Sequence, residues 1–178
     1  MTRAVLSLGS NVGDREAHLR HALDVLAPWT TAVSAMYATA PWGGVAQDDF
    51  LNLVAAVDDP AAGPRDWLER AQRAERARGR DRSDAAVRWG PRTLDVDVLT
   101  VEDAGAGVTS EDPELLLPHP RLAERAFVLV PWAEIEPDTV VPDRGRVADL
   151  LAALPAAERE GVVRHRAVDD AADDGAPR

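Results

Sequence analysis

The chain has 178 residues, a formal net charge of -11 and a pI of about 4.7. It has no cysteine and no lysine, its 20 Lys+Arg positions all being arginine; this excludes disulfides, zinc–thiolate sites, thiol nucleophiles, a P-loop lysine and a Schiff-base lysine. So acidic a surface repels nucleic acid, whose binding rests on neutralising phosphates, and no apolar run approaches the roughly 20 residues that span a bilayer.

Residues 3–8 alternate as a first strand. The turn cluster "GSNVGD" follows, with Asp14 placed as a helix N-cap. Residues 15–27 repeat apolar side chains at 19, 22, 23 and 26, the spacing of an amphipathic helix that Pro28 ends. A second strand is predicted over residues 31–37, then the loop "TAPWGGVAQDD", then a third strand over 50–57. Pro64 suits the first turn of a helix over 65–78, with Trp67, Ala71 and Ala74 on one face and Gly79 as its stop. A fourth strand covers 94–101. The order β-α-β-β-α-β predicts an α+β, ferredoxin-like fold, an antiparallel sheet with two helices on one face. Beyond it come C-terminal additions: a surface loop "AGAGVTSED", an interrupted apolar stretch, and a short helix over 147–154. Residues 1–167 read as one domain, and 168–178 as a disordered acidic tail. The N-terminus lacks the apolar stretch of a signal peptide, so the chain reads as a cytoplasmic protein, and as a monomer without membrane or nucleic-acid partners.

Positive charge is concentrated in one place. Arg78, Arg80, Arg82, Arg88 and Arg92 are set against only Asp81 and Asp84. Arginine grips phosphate oxygens with a planar fork, so this segment suits a polyanion such as a nucleotide triphosphate. Immediately after it, in "RWGPRTLDVDVL" (residues 88–99), strand alternation turns Leu94, Val96 and Val98 one way and Asp95 and Asp97 the other. Carboxylates roughly 7 Å apart on one strand face repel each other unless a cation lies over them. A bare D-x-D is most often a polar strand face. Beside an arginine clamp it supplies the parts for metal-assisted phosphoryl transfer. Phe50 and Phe127 are the only phenylalanines, and each taken singly is a core residue. His18 and His21 read as surface residues on the first helix, and His165 as a residue near the tail with no partner visible in the sequence.

"RWGPRTLDVDVL" resembles the signature of the 6-hydroxymethyl-7,8-dihydropterin pyrophosphokinase family. "SLGSNVGDREAHL", "YATAPWG", "DFLNLVAAV", "QRAERARGR" and "LPHPRLAERAFVLVPWAEI" resemble its other motifs in order. The resemblance implies transfer of the β,γ-diphosphate of ATP to the hydroxymethyl oxygen of the pterin, with release of AMP, in folate biosynthesis. It implies that Asp95 and Asp97 hold two Mg2+ ions, and that Arg80, Arg82 and Arg92 grip the triphosphate, with Arg80 and Arg92 acting in catalysis. On the nucleotide side it places Gln72, Glu75, Arg88, Trp89, His119 and Arg125, with Val98 and Leu116 meeting the adenine through backbone groups. On the pterin it places Phe50 and Phe127 against the ring faces and Thr39, Ala40, Trp42 and Asn52 along the edge. Glu114 stands where some members carry an ATP-binding arginine, so that contact is either missing or supplied by Arg121. Two alternatives are a non-catalytic, ligand-sensing module of the same fold and a D-x-D transferase acting on another phosphorylated substrate.

Overall fold

A central strand, β1 (Thr2–Ser10), is buried along almost its whole length and pairs on both sides. The computed structural model describes residues 2–40, 48–79 and 92–168 of the chain. From β1 the chain enters α1 (Arg15–Leu26) through the predicted cap, in which Asp14 Oδ1 accepts the Ala17 N–H at 3.0 Å. Leu19, Ala22 and Leu26 form its buried stripe. Pro28 ends the helix within a 3-10 turn over Ala27–Trp29.

The single strand expected over residues 31–37 is instead two, β2 (Thr30–Val33) and β3 (Met36–Thr39), both paired with β4 (Phe50–Asp59). Ser34 makes the break. Its N–H donates to the Val54 carbonyl at 2.9 Å, while its Oγ, in place of a backbone carbonyl, accepts the Val54 N–H at 3.0 Å. A side-chain acceptor thus replaces one rung of the ladder. The Ala35 N–H that leaves the sheet donates to Glu134 Oε2 at 2.8 Å.

The second helix, α2 (Pro64–Ala77), starts on the proline and stops before Gly79, whose φ of +68° is one that glycine adopts without strain. Its partner strand is β5 (Asp95–Asp103). "AGAGVTSED" is not simply a loop. It contains β6 (Ala106–Gly107) and β7 (Ser110–Asp112), the latter paired with β8 (Leu115–Leu117). There follow a 3-10 turn over Leu122–Glu124, α3 (Ala126–Ile135), the hairpin β9 (Val140–Val141) and β10 (Gly145–Arg146), α4 (Val147–Ala153), α5 (Ala156–Glu160) and β11 (Val162–Arg166). α4 is the short helix expected over 147–154. Nothing in the charged run "VVRHR" predicts β11, which pairs with β3. His165, expected to lack a partner, lies 3.0 Å from Glu16 Oε1 on α1, and Arg166 pairs with the same carboxylate. Val168 packs against the core, and residues 169–178 of the expected tail lie outside the described residues.

The sheet runs β11-β3-β4-β1-β5-β6 with β2 also on β4, every pair antiparallel. Its central order is that of the predicted ferredoxin-like unit. α1 and α2 cover one face, where Leu6, Leu8, Leu53 and Val57 meet Leu19, Trp67 and Ala71. Trp67 is fully buried, and its Nε1–H donates to Thr2 Oγ1 at 3.0 Å; truncating such a side chain costs about 3–5 kcal/mol. The C-terminal additions cover part of the other face, with Val5, Val54 and Leu99 packed against Val128, Leu129 and Trp132. The rest of that face carries the site. Among the described residues no helix is long and apolar enough to cross a membrane.

Candidate active site

Beside the first turn of α3, the second sheet face opens into a cleft. Ser7, Thr39, Ala40, Phe50, Asn52, Arg92, Asp95, Asp97, Arg125 and Phe127 line it. The sheet explains the grouping. On β1, Ser7 faces Val54 of β4 and Asp97 of β5, and Gly9 faces Asn52 and Asp95. β1 is therefore a floor between an amide and aromatic row on β4 and a carboxylate row on β5. At Gly9 an added Cβ would come within 2.8 Å of Asn52 Oδ1, so glycine keeps this floor open.

Strand alternation holds on β5. Leu94, Val96 and Val98 are buried, and the Asp95 and Asp97 side chains remain 19% and 36% exposed into the cleft. Asp97 sits deep enough for its carboxyl to be pushed up to about 6, first by loss of solvent and then by the charge of Asp95. Arg125 and Arg92 oppose that shift without cancelling it. Arg125 Nη1 lies 3.2 Å from Asp97 Oδ2, and Arg92 Nη1 pairs with Asp95 Oδ2. The Arg125 guanidinium also lies 5.6 Å from the Phe127 ring centre, and its buried Nε has no hydrogen-bond partner among the described residues.

His119 is 3.9 Å from Asp97, beyond hydrogen-bonding distance. Burial and the neighbouring Arg125 lower its pKa to about 4. Its Nδ1 accepts the Arg121 N–H at 3.2 Å, so the neutral ring carries its proton on Nε2. At neutral pH it can donate from Nε2 and has no free basic nitrogen.

On the other side of the floor, Asn52 Nδ2 donates to Thr39 Oγ1 at 2.8 Å. Thr39 thus fixes the orientation of the Asn52 amide. Phe50 and Phe127, on β4 and in the first turn of α3, both line the cleft half-buried. Of the residues expected at the pterin, the fold brings Thr39, Ala40, Phe50, Asn52 and Phe127 into one pocket with Arg92, Asp95, Asp97 and Arg125.

Gln72, Glu75, Val98, Leu116 and His119 do not line this pocket. Glu75 is buried, and its Oε1 accepts the Val96 N–H at 3.0 Å, tying α2 to β5. The Val98 side chain belongs to the core under α1 and α2, and Leu116 is 41% exposed on β8. Glu114 pairs with Arg65 at 2.9 Å, and Arg121 with Glu124 at 3.4 Å. Trp42, Arg80, Arg82, Arg88 and Trp89 lie outside the described residues.

Residue reading passed over Ser7 and Asn11. Asn11 holds the β5 entrance in place: its N–H donates to the Arg92 carbonyl at 3.0 Å and its Oδ1 accepts the Arg92 N–H at 2.7 Å. Its Nδ2 donates to the Asp48 carbonyl at 3.1 Å. The signal available in sequence was "GSN", which also reads as an ordinary turn.

A family model described as 7,8-dihydro-6-hydroxymethylpterin-pyrophosphokinase (HPPK) matches residues 5–137. The chain belongs to this family. Relatives named 2-amino-4-hydroxy-6-hydroxymethyldihydropteridine pyrophosphokinase share the assignment. One from Mycobacterium tuberculosis is 47% identical over 170 residues, covering 91% of this chain and 89% of its own. One from Methylorubrum extorquens is 48% identical over 145 residues, with 79% and 87% covered. One from Bacillus subtilis is 43% identical over 136 residues, with 74% and 77% covered. The pyrophosphokinase fold is also that of a solved Plasmodium falciparum HPPK-DHPS, with a TM-score of 0.60 at 15% identity over 85% of this chain. This chain spans 43% of that longer one, and at such identity the likeness concerns the fold alone.

Proposed function

We propose that this pyrophosphokinase transfers the β,γ-diphosphate of ATP to the hydroxymethyl oxygen of 6-hydroxymethyl-7,8-dihydropterin, in folate biosynthesis. The observation that carries the reading is a single pocket in which an aromatic and amide row faces a carboxylate and arginine row across β1. A flat heterocycle with polar edges suits the first row. A triphosphate with its cations suits the second.

In the reaction an oxygen–phosphorus bond forms between the acceptor and the β-phosphorus. The bond from that phosphorus to the oxygen bridging the α and β phosphates breaks, AMP leaves with that oxygen, and the acceptor's proton is released. Phe50 and Phe127 hold the ring, and Asn52, set by Thr39, reads its edge. Ala40 and Trp42 complete that edge.

The carboxylates fit magnesium. Asp95 and Asp97 are hard oxygen donors, and burial together with the charge of Asp95 holds the Asp97 carboxyl up despite the two arginines. Among the described residues no cluster of three or more His, Asp or Glu side chains could hold a metal, so water and phosphate oxygens would complete the shell, as magnesium prefers. Two bound ions would neutralise the phosphates and lower the cost of deprotonating the acceptor hydroxyl. Arg92 and Arg125 then balance charge on the phosphates, aided by Arg80, Arg82 and Arg88 from the preceding segment. Gln72, Trp89, His119 and the backbone groups of Val98 and Leu116 make up the nucleotide side, His119 as a neutral donor, while the buried Glu75 supports it by holding β5 through the Val96 N–H. The reading takes the cytoplasm as the compartment, where ATP is available, and one chain as the working unit.

The test is the product. With ATP, magnesium and the pterin, the protein should form AMP and no ADP, and a chelator should stop it. ADP in place of AMP would assign a single phosphoryl transfer and sink the reading. Asp97→Ala should lower turnover at least about 100-fold with the fold retained; near-normal turnover would refute the metal assignment.

A further inference from the structure

The pyrophosphokinase reading puts the ring over β4 and the phosphates over β5, so the reacting hydroxymethyl group crosses β1. On that stretch β1 offers the cleft Ser7 and Gly9, and Gly9 has no side chain. Ser7 lies directly opposite Asp97 in the sheet register. It is 7% exposed and lines the cleft, and while its backbone is paired within the sheet, its hydroxyl makes no hydrogen bond to another described residue. The hydroxyl borders the open cleft and is not one of the enclosed unpartnered atoms, so a ligand in the cleft can reach it and take up its free hydrogen-bonding capacity.

We propose that the Ser7 hydroxyl binds the hydroxymethyl oxygen of the acceptor. Ser7 Oγ accepts a hydrogen bond from the acceptor O–H, which turns an acceptor lone pair toward the β-phosphorus. No proton moves to Ser7. A serine hydroxyl suits this place because it accepts and donates through a short side chain that leaves the floor clear. The proposal rests on the pyrophosphokinase reading and adds a residue that discriminates the acceptor's reacting group from a bare methyl.

The test compares two ligands that differ only in that oxygen, 6-hydroxymethyl-7,8-dihydropterin and 6-methyl-7,8-dihydropterin. Binding of each is measured with magnesium and a non-hydrolysable ATP analogue, for the wild type, Ser7→Ala and Ser7→Cys. Ser7→Ala should weaken the hydroxymethyl ligand about 3- to 10-fold, the range of one neutral hydrogen bond. The methyl ligand should be unaffected, and kcat should fall with an unchanged Tm. Ser7→Cys keeps the volume with a weaker hydrogen bond and should show the same selective loss. An equal loss for both ligands, or none for either, overturns the role of Ser7 while wild-type AMP formation leaves the parent reading standing. A wild type that makes no AMP and does not distinguish the ligands removes both.

Discussion

His18 shows how one residue's environment becomes a pH dependence. It is half-buried on α1, and its Nδ1 lacks a partner among the described residues. Burial is the largest influence lowering its pKa, followed by Arg78 of α2, with Asp14 opposing and His21 reinforcing. The unfolded chain therefore binds a proton more readily than the folded one. Stability from this group is complete above the unfolded value near 6.5 and is lost as pH falls below it. Thermal unfolding between pH 7.5 and 5 should show a smaller loss of Tm in His18→Gln than in the wild type; parallel profiles would refute this. Sequence reading placed His18 on the surface because helix periodicity cannot see Arg78 arriving from another element. The Asp95 and Asp97 faces, by contrast, were legible from alternation alone.

At the scale of elements, β3 delivers Thr39 and Ala40 to the cleft, and its position depends on residues remote in sequence. β4 pairs with it on one edge and β11 on the other. Glu134 of α3 fastens its start, accepting the Ala35 N–H at 2.8 Å and the Tyr37 O–H at 3.1 Å. The Tyr37 hydroxyl is correspondingly harder to ionise, through burial first and the Glu134 charge second. Glu134→Ala strands two donors and should cost about 1–3 kcal/mol in denaturant unfolding. It should also raise KM for the pterin more than KM for ATP, because β3 carries Thr39, proposed to lie at the pterin edge. Equal changes in both would show that Glu134 supports the fold without positioning β3. A single strand was expected here because Ser34 is an unremarkable strand residue until Val54 is known to lie beside it.

For the whole molecule, the site exists because three segments far apart in sequence meet at one end of the sheet. Asn11 closes β1 onto Arg92 through bonds in both directions and reaches the Asp48 carbonyl. Arg15 adds a bond to the Asp49 carbonyl at 2.7 Å. Asn11 thereby joins the approach to β5 to the approach to β4. Asn11→Ala should leave secondary structure intact and lower kcat at least about 10-fold, since misplacing a charge-stabilising group by a small distance is costly. Circular dichroism and steady-state kinetics would check it, and unchanged kcat would remove Asn11 from this role. The C-terminal additions have a similar global part. They pack α3 on the second sheet face and so bring Arg125 and Phe127 to the cleft.

The sequence by itself determined the periods of β1, α1, β4, α2 and β5, the caps at Asp14 and Gly79, the two faces of β5 and the ordered motifs of the family. These are local properties, readable from neighbours along the chain. Only the tertiary structure decided that Ser7 lies opposite Asp97, that Ser34 divides a strand, that Glu75 is tied to Val96, and that β11 exists. Each depends on which strand lies alongside and in what register, and strand pairing is set by the folded sheet as a whole.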